Sequence, residues 1–292
     1  MENLIAENAP NLQKKSTTRR VMFDILIALA PAAIVSVVFF GLKALLMIAL
    51  CVSAAVLSEF IFNLLCKRKQ TVGDFTAAVT GLLLALSLST NVSAWQCIVG
   101  SVFAIVIVKC AFGGLGYNFA NPSATAKVML IIAFALKATS ISDGELPSVI
   151  DMLIGKRDGA IGETCAVALI AGGIYLLIRK VISWEIPVAY IGSVFALSFA
   201  LTGDVNKALY HTLGGGLLLG AIFMATDPVT SPKKCVGKFI FGLGCGLLTV
   251  MIRFYGTNSE GVPFAILIMN IITPYLNMIG EKKADGGADN EG

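Results

Sequence analysis

Residues 211–232 read HTLGGGLLLGAIFMATDPVTSP. The stretch begins as an apolar, glycine-rich helix and breaks at Thr226-Asp227-Pro228-Val229-Thr230-Ser231-Pro232. Within a bilayer such a break holds only where protein or a polar cavity covers the freed backbone groups. A carboxylate there is costly unless it has a partner or a task. Small residues such as Gly214, Gly215, Gly216 and Gly220 let a neighbouring helix, or a flat ligand, approach the backbone. Asp227 therefore has two open readings: a cap on a tight helix terminus, or a member of a site built at a broken helix.

The rest of the composition agrees with a membrane setting. Mean hydropathy is +0.84, with 57% hydrophobic and 14% charged residues, where a soluble domain carries about 25% charged. The first twenty residues are polar and end in Thr-Thr-Arg-Arg, and the first apolar segment is too long for a signal core. The net charge of +4 does not imply nucleic-acid binding, because the basic residues sit where membrane topology needs them. None of the seven cysteines forms a C-x-x-C pair, and most lie in apolar segments, so they read as buried core residues. No metal site is expected. The only histidine, His211, lacks ligands at metal spacing and reads as structural or helix-terminal.

Apolar segments of spanning length lie near 21–40, 43–65, 74–90, 95–112, 122–137, 162–182, 185–202, 210–226, 236–254 and 261–279. This predicts an all-α polytopic membrane protein of about ten transmembrane helices. One side of the membrane receives the N-terminal tail, Lys67-Arg68-Lys69, Lys109, Lys127, Arg179-Lys180, Lys233-Lys234, Lys238 and Lys282-Lys283. The other receives mainly Lys43, Lys137, Lys156-Arg157, Lys207 and Arg253. The positive-inside bias makes the first side cytoplasmic and puts both termini there.

A faint repeat divides the chain. Thr80–Ala85 (TGLLLA) echoes Gly215–Gly220 (GGLLLG), and Phe112-Gly113-Gly114 leading to Asn121-Pro122 echoes Phe254-Tyr255-Gly256 leading to Val262-Pro263. Two five-helix halves have opposite orientation, the inverted-repeat plan in which sites lie at broken helices between the halves. The expected divisions are a cytoplasmic tail over 1–20, a first repeat over 21–137, an external loop over 138–161, a second repeat over 162–280 and a cytoplasmic tail over 281–292.

Asp24, Glu59, Asp74, Lys109, Glu163, Glu185 and Asp227 lie in or at the ends of spans, where ionisable residues are functional candidates by default. Asp74 and Glu185 read as interfacial caps. Glu59 and Asp227 are the ion-path candidates; the alternative for Glu59 is a buried pair with a lysine such as Lys109. Gly113-Gly114-Leu115-Gly116 follows no strand, so it reads as a close-packed corner or a ligand-facing turn rather than a dinucleotide fingerprint.

Several stretches together resemble one family: the membrane D subunit of Rnf ferredoxin:NAD oxidoreductase complexes and the related B subunit of the sodium-pumping NADH:quinone oxidoreductase. They are Val79–Leu86, Phe112–Gly116 with Asn121-Pro122, Ile161–Thr164, Gly173–Leu177, Ile182–Val188, Gly215–Pro232, and Arg253–Gly261 with Asn270 and Thr273-Pro274. Phe223–Pro232 (FMATDPVTSP) is the most specific of them, and the length favours the Rnf subunit. The resemblance implies a fold similar to urea transporters and membership of a redox-driven ion pump in the prokaryotic inner membrane, with the other Rnf subunits as partners. It also implies FMN linked through phosphate to a threonine in the external loop, and a non-covalent flavin, FMN or riboflavin, at the helix breaks.

The sequence departs from that pattern in the loop, where the expected Asp-Gly-x-Ser/Thr-x-Ala-Thr-Pro-Leu string is missing. Ala138-Thr139-Ser140 holds the only Ala-Thr of the loop, so Thr139 is the residue the resemblance offers for covalent FMN; loss of that group is the alternative. Ser123-Ala124-Thr125 is a better local string, but on the cytoplasmic side. Asn121, Pro122, Asp227, Thr230 and Ser231 are the residues the resemblance offers for a non-covalent flavin. The function so implied is a flavin-carrying membrane subunit of an Rnf-type pump that couples electron transfer to Na⁺ or H⁺ translocation and is not catalytic alone. A urea-transporter-like solute channel and a flavin-less structural subunit of the same complex are the alternatives.

Overall fold

The computed structural model describes residues 18–136, 148–154, 159–163, 165–256 and 260–279. Among these, all regular structure is helical, in twelve α-helices. They are α1 (Thr18–Phe40), α2 (Leu42–Leu65), α3 (Thr76–Ser87), α4 (Ala94–Val102, running on as a π-helix over Phe103–Cys110), α5 (Pro122–Phe134) and α6 (Val149–Ile154). The second half holds α7 (Ala166–Ile178), α8 (Glu185–Thr202), α9 (Val205–Leu213), α10 (Leu217–Leu219, running on as a π-helix over Gly220–Met224), α11 (Cys235–Tyr255) and α12 (Gly261–Ile279). Helices α1, α2, α8, α11 and α12 are long and apolar enough to cross a membrane; α3, α4, α5 and α7 are shorter apolar helices. Thr139, the expected covalent site, and the tails over 1–17 and 280–292 lie outside the described residues.

The expected span over 210–226 is not one helix. Gly215 and Gly216 take φ of 58° and 71°, a left-handed backbone that glycine adopts at no steric cost, and α9 ends before them while α10 starts after them. Freed carbonyls at this break are covered by Arg253 of α11, whose guanidinium donates to His211 O, Gly214 O and Gly215 O. His211 is helix-terminal, in the last turn of α9. The third span shrinks to the twelve residues of α3, which starts where the Asp74 carboxylate accepts from Thr76 N–H and Oγ1–H. Part of the stretch expected as loop, 138–161, forms the short helix α6.

Local chemistry also sets the start of α5. The Asn121 side chain accepts from Ser123 N–H and Ala124 N–H at 3.1 Å, and Pro122 occupies the first helical position, where its missing N–H costs nothing. Helix α3 lies hard against α2: a Cβ on Gly81 would meet Cys51 O at 2.7 Å. Helix α1 packs on α7, α5 on α12, and α8 on α11. The core between them holds Leu84, Leu86, Leu130, Leu169, Tyr190, Leu217 and Phe241, all nearly solvent-free. Outer faces are apolar too: Leu45, Leu46, Leu57, Ile61 and Leu64 of α2 are exposed, as a helix bordering hydrocarbon requires.

Candidate functional site

Helices α3, α5 and α11 begin, and α2, α4 and α10 end, at the same end of the bundle as the start of α1. Two polar assemblies sit there. The first joins the start of α5 to the end of α10 and to α12. Asn121 Nδ2 donates to Met224 O, the last residue of α10, at 3.1 Å. With its amide oriented by its neighbours, Asn270 of α12 accepts from Asn121 N–H at 2.9 Å and donates to Thr230 O at 3.2 Å. The Asp227 carboxylate accepts from Val229 N–H and from Thr230 Oγ1–H, and Asp227 O accepts from Thr230 N–H and Ser231 N–H. Asn121, Asp227, Thr230 and Ser231 are thus brought together, but they are engaged with one another and with the backbone.

A cleft opens beside this junction. It is lined by apolar groups, among them Met22, Ile25, Val79, Leu83 and Phe223, and by Thr76, Lys109, Asn118, Asn121, Ser123 and Asp227. Thr230 and Ser231 do not reach its wall. Leu115, on the glycine corner, and Asn118 cover one side, so Gly113–Gly116 does face the cleft. Gly113, Gly114 and Gly116 take φ of 122°, 101° and 95°. The cleft measures about 60 Å³, room for a few waters and well under the several hundred Å³ of a pocket for a ligand of flavin size. Thr125 is 8% exposed and its hydroxyl donates to Asn121 O at 2.8 Å, which leaves no access for a phosphate ester in the Ser123-Ala124-Thr125 string.

The second assembly is a buried chain of polar groups. Asn63 Nδ2 donates to Thr71 Oγ1, and Thr71 donates to Glu59 Oε1. Lys109 Nζ donates to the same Glu59 oxygen at 2.8 Å and to Thr76 Oγ1, which passes its own proton toward Asp74. Glu59 and Lys109 are 1% and 3% exposed. Their pairing is the alternative open for Glu59 in the sequence. Removing one member of such a pair typically costs about 3–5 kcal/mol, because the other is left buried and uncompensated. Glu59 Oε2 has no hydrogen-bond partner.

At the opposite end, Lys127 of α5 lies 2.8 Å from Glu260 Oε2 and 3.3 Å from Glu163 Oε1. All three are buried. The Glu163 carboxylate lies where a side chain on Gly216 would be, at the start of α10. Lys109, Lys127 and Arg253 are therefore interior groups and carry no weight in the loop-charge argument for orientation. Closer to the surface, Asp24 of α1 accepts from Tyr175 and Arg179 of α7. Among the described residues no group of His, Cys, Asp and Glu has the makings of a metal site.

This arrangement of interrupted helices and buried charge is spread along the whole chain, and so is its similarity to known proteins. The NQR2, RnfD, RnfE family model matches residues 5–286. The chain belongs to that family. It is 38% identical to the D subunit of the Na⁺-translocating ferredoxin:NAD⁺ oxidoreductase complex of Acetobacterium woodii, covering 97% of this chain and 96% of the relative. It is 33% identical to the D subunit of the proton-translocating ferredoxin:NAD⁺ oxidoreductase complex of Clostridium ljungdahlii, with 92% of each covered. With the D subunit of the ion-translocating oxidoreductase complex of Methanosarcina acetivorans it shares 32% identity over 100% of both. The family thus includes relatives named for different coupling ions.

Sequence reasoning counted Lys127 as a loop charge, quoted Glu260 and Asn270 only within stretches of resemblance, and gave Asn118 no role. A lysine within an apolar helix already demands a buried carboxylate, and Lys127 in PSATAKVMLIIAF gave that signal. Nothing local marked Glu260 as its partner.

Proposed function

We propose that this chain is the D subunit of an Rnf-type, ion-translocating ferredoxin:NAD⁺ oxidoreductase complex in a prokaryotic inner membrane, and that it supplies part of the ion path. Near-full-length similarity to subunits of that name carries the reading. Ferredoxin and NAD⁺ sites fall to partner subunits, since this chain has neither a dinucleotide fingerprint nor an iron–sulfur cysteine set. The ion path runs past Glu59 and Asp227. Glu59 carries a solvent-free carboxylate oxygen, and its partner Lys109 lines the same cleft as Asp227. Buried ionisable groups inside a membrane mark such routes.

The proposal includes the inverted repeat and cytoplasmic termini. In support, α1 meets α7 and α5 meets α12, as a pseudo-two-fold axis requires. Lys109 and Arg253 occupy matching places near the ends of α4 and α11, each beside the start of a short helix, α3 or α10. Two flavin placements follow from the resemblance, FMN on Thr139 and a ring at Asn121–Asp227. The small cleft and the mutual engagement of Asn121, Asp227 and Thr230 favour a chain without a ring at the second.

Two measurements test the reading. In the assembled complex reconstituted into vesicles, Glu59→Gln should abolish ion transport driven by ferredoxin oxidation; undiminished transport removes Glu59 from the path. The absorption spectrum of the isolated chain settles the flavin: acid-resistant flavin on the peptide spanning residues 137–156 supports Thr139, and a colourless chain supports the flavin-less alternative.

A further inference from the structure

Glu59 and Thr76 hold one ammonium between their oxygens, and Thr71, at the exposed rim, completes a small cage by donating to the same carboxylate. Lys109 Nζ is held by Glu59 Oε1 and Thr76 Oγ1, and Thr71 Oγ1 touches the same carboxylate. Hydroxyl and carboxylate oxygens are the ligands that hard cations take. The buried part of the cluster is one carboxylate, Glu59, and one cation, Lys109, with half-buried Asp74 and the Arg68 guanidinium on Cys110 O at its edge. Lys109 and Thr71 serve only one of the two Glu59 oxygens. Glu59 Oε2 is buried with no partner, on a residue 1% exposed, and an unpaired charged oxygen in such a place is costly.

Lys109 also has somewhere else to go. Its side chain lines the cleft whose wall includes the Asp227 carboxylate, and the described residues contain no ion pair for Asp227. The same wall carries Asn118 Oδ1, a buried acceptor without a partner. A four-carbon stem with a compact charge at its tip is suited to moving between two such carboxylates.

Building on the ion-path reading above, we propose that the cage is a binding site for an alkali cation and that the Lys109 ammonium is its resident, exchangeable occupant. An entering Na⁺ takes Glu59 and the threonine oxygens. Lys109 then swings into the cleft toward Asp227 and Asn118. No bond is made or broken; one cation replaces another at Glu59, and the total charge of the cleft and cage rises by one.

The test is equilibrium binding of radiolabelled sodium to the purified, assembled complex, at a pH well above the carboxylate range. In the wild type, Lys109 keeps the site closed for most of the time, and apparent affinity falls by the fraction of time it is open. Lys109→Met should therefore bind one additional Na⁺ about tenfold or more tightly than wild type. The double variant Lys109→Met/Glu59→Gln should lose that ion. A structural ion pair predicts otherwise: the stranded carboxylate takes a proton or unfolds the site, and no sodium is gained.

No gain in Lys109→Met, or a gain that survives in the double variant, overturns the proposal. If Lys109→Met fails to assemble, Lys109→Arg serves. Its guanidinium can hold both Glu59 oxygens at once, so it should bind sodium more weakly than wild type; equal or tighter binding refutes the exchange. Failure of the underlying reading is separable. A Glu59→Gln complex that still pumps removes the ion path itself, whereas loss of pumping with no sodium gain in Lys109→Met removes only the exchange.

Discussion

Asn121→Ala is the substitution that separates a structural junction from a ligand contact. Four hydrogen bonds are lost with that side chain, one of them from the Ser123 hydroxyl. The Asn121 oxygen caps Ser123 N–H and Ala124 N–H, and Nδ2 ties α5 to Met224 O at the end of α10. An N-cap is worth about 1 kcal/mol, and an interhelical hydrogen bond in a membrane protein about 0.6–2 kcal/mol. A total near 2–3 kcal/mol is about a 30- to 150-fold change in a local opening equilibrium. Hydrogen exchange of the peptide that begins at residue 121, measured by mass spectrometry in the purified complex, should accelerate by that factor. Asn121→Asp keeps the capping oxygen and adds a charge that the helix N-terminus favours, but loses the donor to Met224. Exchange at Ser123 and Ala124 should then stay near wild type, while exchange in α10 rises. If Asn121→Ala leaves α5 as protected as before and changes only flavin content, the junction argument is wrong and Asn121 is a ligand contact.

Gly216→Ala must adopt a φ of 71° and push its methyl into the Glu163 carboxylate; a thermal shift of the complex should show a loss of about 2–4 kcal/mol, whereas Gly192→Ala, in open space on α8, should be neutral or gain up to about 1 kcal/mol. Arg179→Ala removes a 37% exposed cation from Asp24, whose carboxylate is 8% exposed but keeps the Tyr175 donor, so it should cost about 1–2 kcal/mol. Lys127→Met removes a fully buried cation that two buried carboxylates share and should cost about 3–5 kcal/mol, seen as loss of assembled complex; equal effects of these two variants would show that burial of the cation is not what matters. Cys66 and Cys235 are exposed and the other five cysteines are buried. Both lie at the end where α1 starts, so a membrane-impermeant maleimide should label them only in inverted vesicles, and labelling of right-side-out cells would reverse the proposed orientation.

Much of the fold was legible because apolar runs of spanning length leave few alternatives: the segments near 185–202 and 261–279 match α8 and α12 to the residue. A second break, within 210–226, was missed. Sequence marked Thr226–Pro232, where prolines stop the helix, yet the chain also parts at Gly214–Gly216, because Arg253, far along the chain, supplies the donors that make a gap there tolerable. The Glu59–Lys109 pair was readable as an alternative, since a carboxylate and a lysine in apolar helices each need a partner. The joining role of Asn121 was not readable. It depends on Met224 and Asn270, and no local pattern records which distant carbonyl an amide will meet.

Helix α4 finishes as a π-helix over Phe103–Cys110, and Lys109 rides on its last turn. Wide turns of this kind hold one residue more than an α-helix needs. Were that surplus lost from the helix, everything beyond it, Lys109 included, would rotate by about 100°, the angle per residue of an α-helix, with the start of α4 left in place. A single-residue deletion between Phe103 and Val108 would freeze the rotated register and carry the ammonium off Glu59. Spectroscopic distances from a probe on a cysteine placed at the exposed Phe112, with Cys66 and Cys235 replaced, would register the turn.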